Sequence, residues 1–426
     1  AARHESWLAR IAEDMERHGD GSRESPYPVM TSVEAQMYVL YRGLSPVGAI
    51  YISSEQQPFG LLIQAKPDQG PIRNLAFDLG AVYEAMRMDF ASSTDSEGEF
   101  SPFSVIGYLA KRGDSAAQAA IGAFLMARGR PDEAVDWLKA AARSGNLVAS
   151  SALAGLYWEK ARNAEDDQAK QAALDQVLDH HLHAIALGST DSMYALGVLY
   201  LNGTFGEENR TSGITLLKQA AEAAHPEAAL FLAHLHYTGE IEEVPKDLAA
   251  ASGYYIRAAE LEDARARRSY ARFLLDRDVD VAADKRIIPW LEELASSGDA
   301  EAMLLLGNLH ARGIGASQNL RRAVRWYRRA VDAAPENARI VNEVAWILTV
   351  SHLPELRRLR YARQIMDTLM EASPEARGRP EYLDTWAATY AANGDFDRAE
   401  EIQQQALSVA QKMALESVLE VLEEHL

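Results

Sequence analysis

The hydrophobic positions of this chain recur with a helical rhythm. Apolar residues fall three and four apart, which puts them on one stripe of a helix. Leu320, Ala323, Val324, Tyr327, Ala330 and Val331 share such a stripe, and Arg321, Arg325 and Arg328 take the other side. A shorter signature recurs on top of this rhythm: an apolar residue, then Gly or Ala, two further residues, then an aromatic, His or Leu. It reads Leu79-Gly80…Tyr83, Ile121-Gly122…Leu125, Leu153-Ala154…Tyr157, Leu196-Gly197…Tyr200 and Leu232-Ala233…His236. It continues as Tyr270-Ala271…Leu274, Leu306-Gly307…His310, Val344-Ala345…Leu348 and Trp386-Ala387…Tyr390. Successive small residues lie 42, 32, 43, 36, 38, 36, 38 and 42 positions apart, which makes nine units of uneven length.

A second helical half follows in each unit, where a large apolar residue precedes alanines. Examples are Trp137-Leu138 before Ala140-Ala141, Leu216-Leu217 before Ala220-Ala221, Tyr254-Tyr255 before Ala258-Ala259, Trp290-Leu291 before Ala295, and Trp326-Tyr327 before Ala330. The small residue lets the first helix (helix A) approach its partner closely, and the aromatic of the second (helix B) fills the space between units. Neither helix buries its stripe alone, so the units must stack. Gly203, Gly239 and Gly313 are placed to end helix A. Asn209, Asp247 and Asn319 are placed to N-cap helix B.

The run Ala302…Leu306-Gly307…His310…Gly313-Ile314-Gly315…Asn319…Ala323…Trp326-Tyr327…Ala330 resembles the Sel-one-like repeat, a relative of the tetratricopeptide repeat. Tyr382…Trp386-Ala387…Tyr390-Ala391…Gly394-Asp395-Phe396…Ala399…Ala406 is more similar to a plain tetratricopeptide repeat. Some members of the family carry a disulfide in each repeat; with no cysteine at all, this chain departs from them. The expected fold is all-α: a right-handed α-solenoid of about nine helix-turn-helix repeats over residues 73–410, with a capping helix over 411–426. In that helix Met413, Val418, Val421 and Leu422 form the apolar side.

Residues 1–72 follow another pattern. Trp7, Leu8, Ile11 and Met15 predict a helix, then a Gly/Ser/Pro-rich loop runs from Gly19 to Pro28. Thr31-Ser32-Val33-Glu34 is a capping-box pattern that opens a second helix. Residues 47–66, with Ile50-Tyr51-Ile52 and Leu61-Leu62-Ile63 around Pro58-Phe59-Gly60, fit either a hairpin or two degenerate helices.

Charge narrows the range of functions. The formal net charge is −19, which disfavours nucleic acid and anionic membranes as general partners. The balance is uneven: residues 301–363 hold 11 Arg and no Lys against 5 acids. No apolar run approaches the ~18 residues of a membrane-spanning helix. Absence of cysteine excludes thiolate chemistry and suits an oxidising bacterial compartment. With Ala1-Ala2 at the start, it favours a periplasmic protein, and a cytoplasmic one is the alternative.

Catalytic motifs are missing. There is no phosphate loop, no H-E-x-x-H and no G-x-S-x-G, and Gly313-Ile314-Gly315 lies in an A–B loop instead of following a strand. His180, His181, His183, His234 and His236 invite a metal reading, since His180 and His183 share a helix face. The plainer reading is preferred: His180, His236 and His310 stand where repeats place an aromatic. No cofactor, metal or catalytic residue is assigned.

Helix A of such solenoids lines the concave side, and positions −3, +1 and +5 from the small residue share a face. In the C-terminal part these positions offer Arg268, Arg272, Asn308, Arg312, Asn342 and Trp346. Arg and Trp dominate interface energetics, so these six are the candidate partner-binding residues. The resemblance implies a non-catalytic scaffold or adaptor whose groove holds a protein partner with an acidic or extended segment, in the setting of a bacterial envelope complex. The alternative is a module of an export system that binds an anionic polymer or polysaccharide through Arg321, Arg322, Arg325, Arg328 and Arg329.

Overall fold

A computed structural model describes residues 2–54, 57–68, 70–92, 100–261 and 263–425. It divides into two compact units, Ala1–Leu232 and Ala233–Leu426.

The first unit opens with α1 (Ala2–His18), which buries Ala12 and Met15. The side chains of Trp7 and Leu8, expected on its apolar face, lie outside the described residues. Helix α2 (Ser32–Tyr41) starts at the expected N-cap, where Thr31 accepts from the Glu34 amide. The Glu34 carboxylate reaches back to the Met30 amide at 2.7 Å, one residue before the position that a capping box specifies.

Strands β1 (Tyr27–Pro28), β2 (Ser45–Ile52), β3 (Gly60–Lys66) and β4 (Arg73–Asp78) form one sheet in the order β1-β4-β3-β2. The first pair is parallel and the other two are antiparallel, with Ile50 opposite Leu62 and Leu62 opposite Ala76. Residues 47–66 are therefore a hairpin, and the choice left open by the sequence falls to strands. The sheet is an addition that an all-helical reading does not contain. It also passes the expected boundary at 72, because Ala76 and Phe77 of β4 are fully buried beside Leu61 and Ile63 of β3. Gly80 and Tyr83, the first match to the small-residue signature, accordingly serve the sheet. A Cβ on Gly80 would meet only the Asp78 side chain, and the Tyr83 ring stacks on Phe59 and Phe100.

Helices α3 (Gly80–Ser92) and α4 (Pro102–Lys111) lead into the array. Three A–B hairpins follow: α5 (Ser115–Ala127) with α6 (Pro131–Arg143), α7 (Leu147–Arg162) with α8 (Asp167–Ala186), and α9 (Thr190–Leu201) with α10 (Arg210–Glu222). Helix α11 (Pro226–Thr238) straddles the division. The second unit continues with α12 (Leu248–Glu260), α13 (Ala264–Leu275), α14 (Ile287–Ser296), α15 (Ala300–Arg312), α16 (Leu320–Ala333) and α17 (Ala338–Val350). After a 3-10 turn at Pro354–Leu356 come α18 (Leu359–Ala372), α19 (Pro374–Arg377), α20 (Pro380–Ala392), α21 (Phe396–Lys412) and α22 (Glu416–Glu424). The repeats form the expected α-solenoid.

The small residues do what their size suggests. Ala154, Ala233, Ala271 and Ala345 are fully buried. A Cβ on Gly122 would run into Leu138, one on Gly197 into Leu217 and the Gly213 carbonyl, and one on Gly307 into the Tyr327 ring. The residue before most A helices is a side-chain N-cap. Asp114, Asn146, Ser189, Asp263, Asp299 and Asn337 each accept from the amide three residues on. Gly203, Gly239 and Gly313 are left-handed, as expected at helix ends. Asp247 and Asn319 cap their B helices. Asn209 does not: a 3-10 turn precedes α10, and the Asn209 amide group donates instead to the Phe205 carbonyl at 2.7 Å.

The final helix begins at Glu416, later than the expected 411, after a left-handed Ala414 breaks the chain away from α21. It buries Leu422, with Val418 and Leu419 packed beside it. Met413 and Val421, expected on the apolar side, are exposed.

Candidate functional site

Helices α13, α15, α17 and α20 are the A helices of the second unit, and the six predicted residues lie on the first three. The structure gives them different roles. Arg268 pairs with Asp299, whose other carboxylate oxygen caps its own helix α15. Arg272 lies 2.6 Å from Glu301, which also receives Arg339 of α17 at 2.9 Å. Burial opposes ionisation of Glu301, yet the two guanidiniums hold its carboxyl below the usual range. Arg268 and Arg272 thus pair with carboxylates of the next repeat.

The Asn308 carbonyl accepts from the Tyr327 hydroxyl at 2.9 Å, and its amide group donates to Glu343 at 3.4 Å. Burial pushes the Tyr327 phenol well above its ordinary value, so it stays a donor. Arg312 donates to the Leu275 carbonyl at the end of α13. Asn308 and Arg312 line a cavity of about 590 Å³ with Tyr327, Ile347, His352 and Leu353. Asn342 is half-buried, and its side-chain oxygen has no hydrogen-bond partner among the described residues.

Trp346 faces a second cavity, of about 570 Å³, walled by α17, α20 and α21. Its ring lies 5.9 Å from that of His425, just past α22. Asp384, buried in α20, holds His425 Nδ1 at 3.0 and 3.1 Å and receives the Gln403 amide group at 2.8 Å. The sequence reading missed Asp384, Gln403 and His425. The signal for them was Asp384, an acid three residues before the small residue Ala387, where the preceding repeats carry Arg268, Leu304 and Asn342.

The histidines are packed as ring residues. His180 stacks on Tyr157 with centroids 5.7 Å apart, and His236 stacks on Tyr254 at 5.6 Å. Burial, then the neighbouring His180, depresses His181 to about 4. Burial also lowers His180 and His310. His183 meets the Ser150 hydroxyl at 3.2 Å. Among the described residues no cluster of three His, Asp or Glu side chains has the arrangement of a metal site.

The arginine face of α16 is exposed. Arg328 lies over Tyr361 and Arg329 over Trp326. Arg321, Arg322 and Arg325 form no ion pair among the described residues. A further surface also escaped the sequence reading. Helix α2 buries Ala35, Tyr38 and Val39 on one side and exposes Val33, Met37, Leu40 and Tyr41 on the other. Its signal was apolar character all round the helix.

The profile of the Sel1 repeat matches residues 115–146, 190–225, 226–263 and 300–334, and a tetratricopeptide repeat profile matches residues 382–414. The chain carries four Sel1 repeats and one tetratricopeptide repeat. The Sel1 repeats coincide with α5–α6, α9–α10, α11–α12 and α15–α16, and the tetratricopeptide repeat with α20–α21. All five fall on units picked out by their small residues. Among solved structures, the chain is similar to a Sel1 repeat protein from Oxalobacter formigenes, at 17% identity over 78% of this chain and 92% of that one, with a TM-score of 0.47. It is also similar to a protective antigen of uropathogenic Escherichia coli displaying an SLR fold, at 18% identity over 81% and 78%, with a TM-score of 0.39. A third is the P58(IPK) TPR domain, at 17% identity over 82% and 86%, with a TM-score of 0.24. No curated protein matches this sequence. Proteins built of Sel1 and tetratricopeptide repeats generally act as protein-interaction scaffolds. No helix among the described residues is long and apolar enough to cross a membrane.

Proposed function

We propose that this chain is a non-catalytic scaffold that docks an extended segment of a protein partner along the A-helix face of its second unit. The observation that carries this reading is that Asn308, Arg312 and Trp346, on successive A helices, open into two cavities of about 590 and 570 Å³. Both are large enough for partner side chains. The repeat family supports the scaffold class, and the lack of cysteine supports a bacterial periplasmic setting. A photo-cross-linking residue placed at Asn308 or at Val350, with a control at Arg325 on the outside of α16, tests this in source cells. Adducts with one protein from the first two positions and not from the third are expected. Equal labelling from Arg325, or none from Asn308 and Val350, would overturn it.

A second reading, binding of an anionic polymer, is favoured by one observation: Arg321, Arg322 and Arg325 carry exposed charge without a carboxylate partner among the described residues. Polygalacturonate binding that falls steeply with salt and disappears on replacing the three arginines by glutamate would support it. Retention by that variant would remove it.

A further inference from the structure

The cavity beside Trp346 has an unusual charge balance. Its walls are apolar: Trp346 and Val350 from α17, Ala391 from α20 and Phe396 from α21, the last 70% exposed. At its base stands the carboxylate of Asp384, whose residue is only 8% exposed, and Glu400 adds a second acid. No Lys or Arg lines it. A carboxylate held away from water is costly unless a donor or cation meets it. Here the Gln403 amide group supplies one donor, and the imidazole of His425 spans both carboxylate oxygens at 3.0 and 3.1 Å while lying against the Trp346 indole. An indole face beside a sheltered carboxylate is the pairing that binds a cationic side chain.

We propose that this cavity is the seat for a lysine or arginine side chain, flanked by apolar residues, in an extended segment of a protein partner. His425 fills the cation position until that segment displaces it. The apolar walls select the flanking residues, Asp384 selects the charge, and α22 sets the threshold by holding His425 in place. The proposal rests on the scaffold reading in one respect, that the occupant is a polypeptide. It differs from the acidic segment expected of a partner from the sequence.

The test uses the full chain and two fluorescein-labelled peptides, Leu-Ala-Arg-Leu-Leu and the same sequence with citrulline, the neutral isostere of arginine. Anisotropy is read for wild type, His425→Ala and His425→Ala/Asp384→Asn, with hydrogen exchange of α20 and α21 as the folding control. The arginine peptide is expected to bind His425→Ala at least about tenfold more tightly than wild type, a difference of about 1.4 kcal/mol. Citrulline, or the added Asp384→Asn change, should each cost about tenfold or more. Equal binding of the two peptides to His425→Ala, or no binding of either, would overturn the proposal. If Asp384→Asn disturbs α20, the arginine–citrulline comparison on His425→Ala decides alone. Cross-linking at Asn308 is unaffected by these changes. Adducts there without arginine-dependent peptide binding would sink this site and leave the scaffold reading standing; the reverse result would do the opposite.

Discussion

The Arg272 guanidinium lies 2.6 Å from the carboxylate of Glu301, one repeat further along the chain. Arg339, from the repeat after that, meets the same oxygen at 2.9 Å. One acid therefore ties three successive A helices together. Exposed pairs of this kind are each worth about 0.2–1 kcal/mol. Glu301→Gln is expected to destabilise the fold by about 1 kcal/mol in urea denaturation and to release two arginines onto the A-helix face. A double-mutant cycle with Arg272→Gln should show coupling of a few tenths of a kcal/mol that shrinks in salt. Full additivity at low salt would show that the pair contributes nothing.

Gly307 and Gly155 make opposite predictions for the same change. Alanine is favoured over glycine in a helix by about 1 kcal/mol. At Gly155 a new Cβ meets nothing within 4 Å, so Gly155→Ala should stabilise by about 0.5–1 kcal/mol. At Gly307 the new Cβ collides with the Tyr327 ring, and overpacking costs about 1–3 kcal/mol. Gly307→Ala should therefore be net destabilising, by up to about 2 kcal/mol, read as a lower denaturation midpoint. A stabilised Gly307→Ala protein would mean that the helices separate easily at this contact.

These contrasts also show what a sequence reader can see. The close approach of helix A at Gly307 was legible because the size requirement recurs from unit to unit, whereas the Tyr327 ring, expected between units, meets Gly307 of its own repeat. The N-cap at Asp299 is a local feature as well, though within the repeats the sequence reading named caps for the B helices alone. Its pairing with Arg268, 31 residues earlier, was not legible, since the arginine reads as an exposed groove residue until the next helix is placed beside it. Asp384 stands three residues before the small residue Ala387, the position that Arg268 and Asn342 hold in their repeats, but His425, 41 residues on, belongs to no repeat, so periodicity does not bring the two together. Strand β4 was hidden for another reason: Leu79-Gly80…Tyr83 imitates the repeat signature directly after it and drew the boundary forward.

His181 makes stability depend on pH. Burial holds its folded-state value near 4, against an ordinary value of 6.5. The unfolded chain therefore binds the proton more readily than the folded one. The contribution of the neutral ring is fully present above about pH 6.5. It is lost as pH falls toward 4, with a slope of at most ~1.4 kcal/mol per pH unit. His180 and His310, shifted in the same direction, add to this slope. His181→Gln should flatten the loss of stability between pH 6.5 and 4, measured as urea midpoints at pH 7, 6, 5 and 4.5. An unchanged slope would show that His181 ionises freely in the folded protein.

Asn146 joins the sheet to the first repeats. Its side-chain oxygen caps α7 through the Ala149 amide, and its amide group donates to the Ala49 carbonyl of β2 at 2.7 Å and to the Ser115 carbonyl at 3.2 Å. The residue is buried, so water cannot replace these bonds. Asn146→Ala removes the cap and the side-chain bonds to the Ala49 and Ser115 carbonyls, and should cost about 2–3 kcal/mol. Asn146→Asp keeps an acceptor for the Ala149 amide but has no donor for Ala49, and its charge faces two carbonyl oxygens. In hydrogen exchange the aspartate variant should keep protection at the start of α7 and lose it in the β2–β3 hairpin, while the alanine variant loses both. If the hairpin stays protected in the aspartate variant, the sheet is held to the repeats by apolar packing alone.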